Sequence, residues 1–435
     1  ANEVSALFLE AMDELRLRQP NYTARMHGGA PDWYREKVFS ILAGGANSPA
    51  LYNDEVVVPV LEKNGLSPED ARDYTPVGCV EPVSQGKSFS STDAALFNVP
   101  LCLELALNRG RRFGSRLRTG AATMDPAAMA SMEDVKRAFE VQLAFGLEKL
   151  FRDLFAVERA NAKYHPTPLT SALLQGCLES GADSTAGGAK YNFSGVQCVA
   201  PADTGDALFA IERAVFIDRW ITLPELVRQC VKDFPDENLR AKLLSLPKYG
   251  NDDPEADAWT GWVVQTYSRL IAGRKNTRGG AVTMGLYSVT AHEFWGRVTG
   301  SLPNGRRKGE PFAAGLSPAN GMDKNGPTAL LNSANRLDHR RATNGLNLNL
   351  KFDASALRGA EGKKALSALL STYFSRGGMQ AQVNVLDPAV LKEARDNPAA
   401  HPHLLVRVSG YSAYFNDLTP AMKDEVIRRT TLACS

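Results

Sequence analysis

Hydrophobic positions along the chain change period several times, and each change marks an element. From 130 to 165, in "MEDVKRAFEVQLAFGLEKLFRDLFAVERANAKYH", apolar residues recur every three to four positions, which predicts one long helix. The opening "ANEVSALFLEAMDELRL" sets Leu7, Leu9, Met12 and Leu15 among acidic residues, again an amphipathic pattern. Ser67-Pro68-Glu69-Asp70 reads as a helix start, with Ser67 as N-cap and Pro68 at the first helical position, and that helix should end by Tyr74. Thr75-Pro76 then forces extended backbone, so Val77-Gly78-Cys79 emerges as a loop tip. Beyond it, "DAALFNVPLCLELALNRG" predicts a helix from about Asp93, stopping at Asn108 to Gly110.

Other stretches alternate with period two. "AVTMGLYSVTAHEF" is β-like, "NGLNLNLKF" alternates as a half-buried strand should, and "MQAQVNVL" is a further strand. Between them lie a glycine-bearing loop at 181 to 189 and the turn-rich "SLPNGRRKGEPFAAG". Near the C-terminus, Gly410 breaks the β-branched and aromatic alternation of "LLVRVSGYSAYFNDL", which marks a bulge or a close backbone approach. Helix and strand interleave without a repeat, the pattern of an α/β chain.

Composition narrows the function classes. With 435 residues, 44% hydrophobic and 23% charged, the chain can bury one large core or two ordinary ones. Lys plus Arg number 50 against 48 acidic residues and are scattered, which disfavours a nucleic-acid partner. The local group Arg109, Arg111, Arg112, Arg116 and Arg118 reads as a solvated face. Six cysteines, at 79, 102, 177, 198, 230 and 434, are too few and too dispersed for a disulfide scaffold and form no metal-ligand grouping, so a reducing compartment fits. No apolar run could span a bilayer and no signal peptide opens the chain, so neither membrane nor export is expected. The start, without Met and directly in a helical pattern, reads as that of a fragment.

Two short stretches carry the chemistry. "TPVGCVEPVSQGKSF" places the Cys79 thiol two residues from the Glu81 carboxylate, between Gly78 and Pro82, which should hold the backbone out of regular structure. "RVSGYSA" holds Gly410 between Arg407-Val408 and Tyr411, with Ala413 behind. Together they resemble the glycyl radical enzymes, the pyruvate formate-lyase-like superfamily, in the Cys-x-Glu lyase branch of glycerol and propanediol dehydratases, choline trimethylamine-lyase and isethionate sulfite-lyase. "GGAKYNFSG", "RGGAVTMGLYSVTAH", "LPNGRRKGEPF" and "NGLNLNLKF" extend the resemblance over nearly the whole chain.

The resemblance implies an α/β fold, a ten-stranded barrel of two half-barrels whose Cys and Gly loops meet inside. This chain would supply the C-terminal half-barrel: residues 1–350 with the Cys loop, then 351–435 as the glycyl radical domain. Alone, such a half would expose sheet edges and an apolar face. The resemblance also implies a backbone radical on Gly410, installed by a separate iron-sulfur, S-adenosylmethionine-dependent activating enzyme, with no bound metal or organic cofactor. Further partners are a small-molecule substrate and a missing N-terminal half or partner polypeptide, with a homodimer when complete. The setting the resemblance implies is the cytoplasm of an anaerobic bacterium, or a microcompartment within it.

The expected catalytic residues are Gly410, Cys79 and Glu81. A glycine α-radical is stabilised by its amide nitrogen and carbonyl together, and can draw hydrogen from the Cys79 thiol; the thiyl radical then attacks a substrate C–H bond. Glu81 would deprotonate the hydroxyl beside the new radical carbon, so that water, an amine or sulfite departs. Asp93 either contacts substrate hydroxyls, as the aspartate at its position does in the dehydratases, or caps a helix beginning at Ala94. Val282 and Leu302 are candidate pocket residues, and His292 reads as a structural group. Two other readings compete. One is a radical C–C enzyme, either an alkyl- or arylalkylsuccinate synthase or an arylacetate decarboxylase, favoured by aliphatic Val282 and Leu302; the other is a spare-part radical domain, against which the intact Cys79 argues. Val80 after Cys79, where pyruvate formate-lyase has a second cysteine, argues against acyl transfer, and Cys198 stands where glycine is expected.

Overall fold

The computed structural model describes residues 1–16, 18–429 and 431–432; Cys434 lies outside them. Seven strands form its frame: β1 (Thr23–Met26), β2 (Ala50–Asn53), then, after the Cys hairpin β3 (Tyr74–Val77) and β4 (Glu81–Ser84), β5 (Ser91–Asn98), β6 (Ser194–Val199), β7 (Val282–Gly285), β8 (Asn349–Phe352) and β9 (Gln380–Val385). A second hairpin follows, β10 (Leu405–Arg407) and β11 (Ser412–Tyr414). One sheet runs in the order β5-β6-β7, all parallel, and the other β1-β2-β9-β8, antiparallel only between β2 and β9. A parallel bridge between Leu286 and Leu346 stitches β7 to the approach of β8. Neither sheet closes on itself among the described residues, and helices link the strands as α/β crossovers require.

The long helix forms as its periodicity predicts, Met132–Tyr164, with a capping box between Ser131 and Asp134. Ser67 caps Pro68–Arg72 through the Asp70 amide. The first helix, Glu3–Leu15, buries Leu9 and Met12 but leaves Val4, Leu7, Phe8 and Leu15 exposed. No helix among the described residues is long and apolar enough to cross a membrane.

Three local expectations change. Residues 91–98 are strand, and the helix starts only at Val99, capped by Asn98. Ala94, Ala95 and Leu96 are good helix formers, but the parallel ladder with β6 overrides that preference. Asp93 is therefore not a helix cap. The strand in "AVTMGLYSVTAHEF" is confined to Val282–Gly285, and His292 lies on the helix Ala291–Val298. β8 is buried on both faces rather than half-buried, because the polar residues of the stretch face other side chains: Asn349 accepts from Gln382 and its amide donates to Ser317.

The same alternation in β9 positions the site. Ala381, Val383 and Val385 join the main hydrophobic core, while Gln382 and Asn384 on the other face hold the second hairpin through Arg407. That hairpin also has an apolar cluster of its own, built from Leu391, Val406, Val408, Phe415, Met422 and Val426.

Candidate active site

The two hairpins converge tip to tip. In the first, Val77 faces Glu81 and Pro76 faces Pro82 across an antiparallel ribbon, so residues 78 to 80 make the turn. Glu81 and Pro82 thus begin a strand and do not lie in irregular backbone; in a two-stranded ribbon each strand has a free edge, where the missing prolyl N–H disrupts no ladder. In the second, the Val408 amide donates to the Tyr411 carbonyl at 2.9 Å and closes the turn over Ser409 and Gly410. Gly410 has φ +88°, and a Cβ there would lie 2.4 Å from the Cys79 Cβ and 3.0 Å from its Cα. The Gly410 α-carbon and Cys79 are therefore in contact, and no side chain fits between them.

Glu81 folds back onto its own turn. Its Oε2 accepts from the amides of Cys79 (2.9 Å) and Val80 (2.5 Å), and Oε1 meets the Tyr287 hydroxyl at 3.0 Å. Burial raises the Glu81 pKa, opposed by those amides and by Tyr287. Burial, then the Glu81 charge, push the Cys79 thiol up to about 12, so it keeps its hydrogen at neutral pH. Tyr52 anchors the tip from β2 through a 3.2 Å hydrogen bond to the Cys79 carbonyl.

Asp93 owes its place to an irregularity. The β5–β6 register shifts between Ser91 and Ala95, and such bulges re-aim side chains beside sites. The shift also presents the Thr92 carbonyl to three donors, Tyr287 at 2.8 Å, Gln197 at 2.7 Å and Asn344 at 2.6 Å. Asp93 itself is exposed as a residue, yet desolvation of its carboxyl raises its pKa, and its charge raises those of both Cys79 and Tyr287.

The structure thus brings Gly410, Cys79 and Glu81 together, with Asp93 at their edge. Val282 and Leu302 are buried in the main hydrophobic core. His292 is fully buried, bonded through Nδ1 to Ser288 at 2.9 Å, with Nε2 3.8 Å from Glu425. Sequence reasoning missed Tyr287, Tyr52 and Asn21: the stretch around Tyr287 carries the family resemblance without marking the tyrosine, and Tyr52 and Asn21 stand where no local signal does.

Over residues 1–296 the chain matches the family model described as pyruvate formate lyase-like, and over 312–416 the model described as glycine radical. The chain belongs to the pyruvate formate lyase-like glycyl radical enzymes. Within this family it is 35% identical over 431 residues to trans-4-hydroxy-L-proline dehydratase of Clostridioides difficile, covering 99% of this chain and 54% of the relative. It is 34% identical over 439 residues to (2S)-3-sulfopropanediol dehydratase of Klebsiella oxytoca, covering 99% and 53%. Among solved structures, the glycerol-bound form of the B12-independent glycerol dehydratase from Clostridium butyricum superposes with a TM-score of 0.97 at 37% identity, covering 100% of this chain and 55% of that one. The chain spans about half the length of the curated relatives it matches.

Proposed function

We propose that this chain carries the radical machinery of a lyase that eliminates water, an amine or sulfite from a small hydroxylated molecule. The observation that carries the reading is the contact between the Gly410 α-carbon and Cys79, whose own amide is held by the Glu81 carboxylate. The relatives' names, dehydratases and isethionate sulfite-lyases, support the reaction class. A separate activating enzyme removes one Gly410 α-hydrogen, and the rest of the substrate pocket comes from a further stretch of polypeptide or a partner chain.

In the proposed cycle, the Gly410 radical takes the Cys79 S–H hydrogen, and the sulfur radical takes hydrogen from the hydroxyl-bearing substrate carbon. Glu81 Oε1 accepts the hydroxyl proton and the neighbouring substituent leaves with its bonding pair, water or an amine taking up a proton as it departs; the product radical recovers hydrogen from Cys79, and the sulfur radical takes back the hydrogen from Gly410. Asp93 orients substrate hydroxyls from the bulge. A thiol held near pKa 12 suits this role, because the exchange needs S–H and not thiolate.

Tyr287 lets Glu81 exist in both protonation states. Its hydroxyl has one hydrogen but two acceptors, Glu81 Oε1 and the Thr92 carbonyl. When Glu81 is ionised, Tyr287 donates to it, and Gln197 and Asn344 still satisfy Thr92. When Glu81 takes a proton, Tyr287 turns its hydrogen to Thr92 and accepts from Glu81. Elimination should therefore fall as pH drops through a pKa above the ordinary 4.5 of a glutamate, with no alkaline loss from Cys79 until about pH 12. Tyr287→Phe removes a bond that lowers the Glu81 pKa, so the acid limb should move to higher pH and kcat should drop about tenfold. A pH–rate profile superimposable on wild type rules out this role for Tyr287.

The deciding experiment is isotopic. After anaerobic activation of the full-length protein, electron paramagnetic resonance should show a carbon-centred doublet whose main splitting collapses when the protein is made with α-deuterated glycine and activated in D2O, where exchange through the thiol cannot wash the label out. A signal indifferent to that label refutes the assignment to Gly410.

A further inference from the structure

Arg407 lies three residues before Gly410 and is wholly buried, yet none of its guanidinium hydrogen bonds goes to a carboxylate. Nε donates to Gln382 Oε1 at 2.8 Å, Nη1 to Asn21 Oδ1 at 2.6 Å and Ser412 Oγ at 3.3 Å, and Nη2 to the Gly410 carbonyl at 3.0 Å. Asn21, fixed by that contact, turns its own Nδ2 onto the same carbonyl at 3.2 Å. Gly410 thus presents a carbonyl with two side-chain donors, one of them a buried cation without a counter-ion among the described residues. Burial lowers the Arg407 pKa only to about 10, so the charge persists at neutral pH. Burying an unpaired guanidinium is costly, and bracing a turn does not require a charge.

We propose that Arg407, with Asn21, tunes the Gly410 radical through its carbonyl and so sets where the unpaired electron rests. This rests on the assignment of the radical to Gly410. An α-carbon radical next to a carbonyl is stabilised by a form in which the amide nitrogen gives electron density and the carbonyl oxygen receives it. A cationic donor on that oxygen favours this form, and charge-assisted hydrogen bonds are the stronger kind. The Gly410 C–H bond is thereby weakened relative to the Cys79 S–H bond. In the exchange one hydrogen atom leaves sulfur and joins the α-carbon, or the reverse, and no other reagent takes part. Arg407 shifts that balance towards the glycine radical. It is a positioning residue, since it acts only through Gly410.

The test uses the full-length protein, activated anaerobically in H2O and in D2O, as wild type, Arg407→Gln, Arg407→Lys and Asn21→Ala. In the wild type, pulsed electron-nuclear double resonance should find exchangeable hydrogens coupled to the radical. Arg407→Gln should lose the larger coupling and Asn21→Ala the smaller, while Arg407→Lys, charged but without the planar fork, should fall between wild type and Arg407→Gln. The thiol-mediated replacement of the remaining Gly410 α-hydrogen by solvent deuterium should run about tenfold faster in Arg407→Gln, the weight of one charge-assisted hydrogen bond. Loss of a coupling follows from losing the donor, but a merely structural arginine would leave the exchange rate unchanged in molecules that carry the radical. An exchange rate matching wild type in Arg407→Gln overturns the proposal and leaves the Gly410 assignment standing, whereas a wild type without a glycine radical removes that assignment itself. Should Arg407→Gln not fold, Asn21→Ala decides, and an unchanged exchange rate there overturns the proposal.

Discussion

Cys79→Ser is expected to accumulate the Gly410 radical on activation and to give no measurable turnover. The tip that carries Cys79 is held by backbone contacts: its carbonyl accepts from Tyr52, and its amide and that of Val80 donate to Glu81. None uses the sulfur, so serine keeps the turn and its contact with Gly410. What changes is the bond to be broken. A hydroxyl O–H bond is far stronger than a thiol S–H bond, so the glycine radical cannot take its hydrogen. The spectrum should match wild type while product formation vanishes, and the doublet should no longer collapse in D2O. Turnover at the wild-type rate would end the sulfur-radical mechanism.

Glu81→Gln should lower elimination by a factor of about 100 or more, the usual weight of a positioned general base. Glutamine keeps an oxygen able to accept from the Cys79 and Val80 amides, so activation of Gly410 should be retained. Hydrogen exchange between Cys79 and deuterated substrate should also continue, since it precedes the proton transfer. The expected pattern is a normal radical signal, continuing label exchange and little product. Elimination near the wild-type rate in Glu81→Gln rejects the base role. Because a hydrocarbon-adding enzyme needs no such base, the same measurement separates the lyase reading from that alternative.

Local sequence made the long helix, the Ser67 cap and both tips legible, since each depends on residues within a few positions of one another. Where tertiary pairing decided the outcome, local reading failed. "DAALFN" carries helix formers, and only its ladder with β6, far along the chain, makes it strand. Asp93 illustrates the cost: as a helix cap it is unremarkable, and on a shifted strand it stands beside Cys79 and Tyr287. The glutamate two residues after the cysteine was visible, but not that its carboxyl is tied to its own turn. Asn21, Tyr52 and Tyr287 could not be found locally, because each approaches the site across a sheet or from a distant loop. "QAQVNV" is legible as a strand, while the division of labour between its two faces needs the hairpin to be in place.

The closeness of the two tips also limits what substitution can teach at position 410. Glycine is required there twice over, by a backbone angle that disfavours side chains and by the Cys79 atoms that would collide with a Cβ. Any replacement disturbs the packing before chemistry is asked of it, so an inactive variant reports a misfit as readily as a lost radical. The logic of evidence at this residue is therefore inverted relative to Cys79 and Glu81: changing the nucleus, which alters no contact, is informative, and changing the amino acid is confounded.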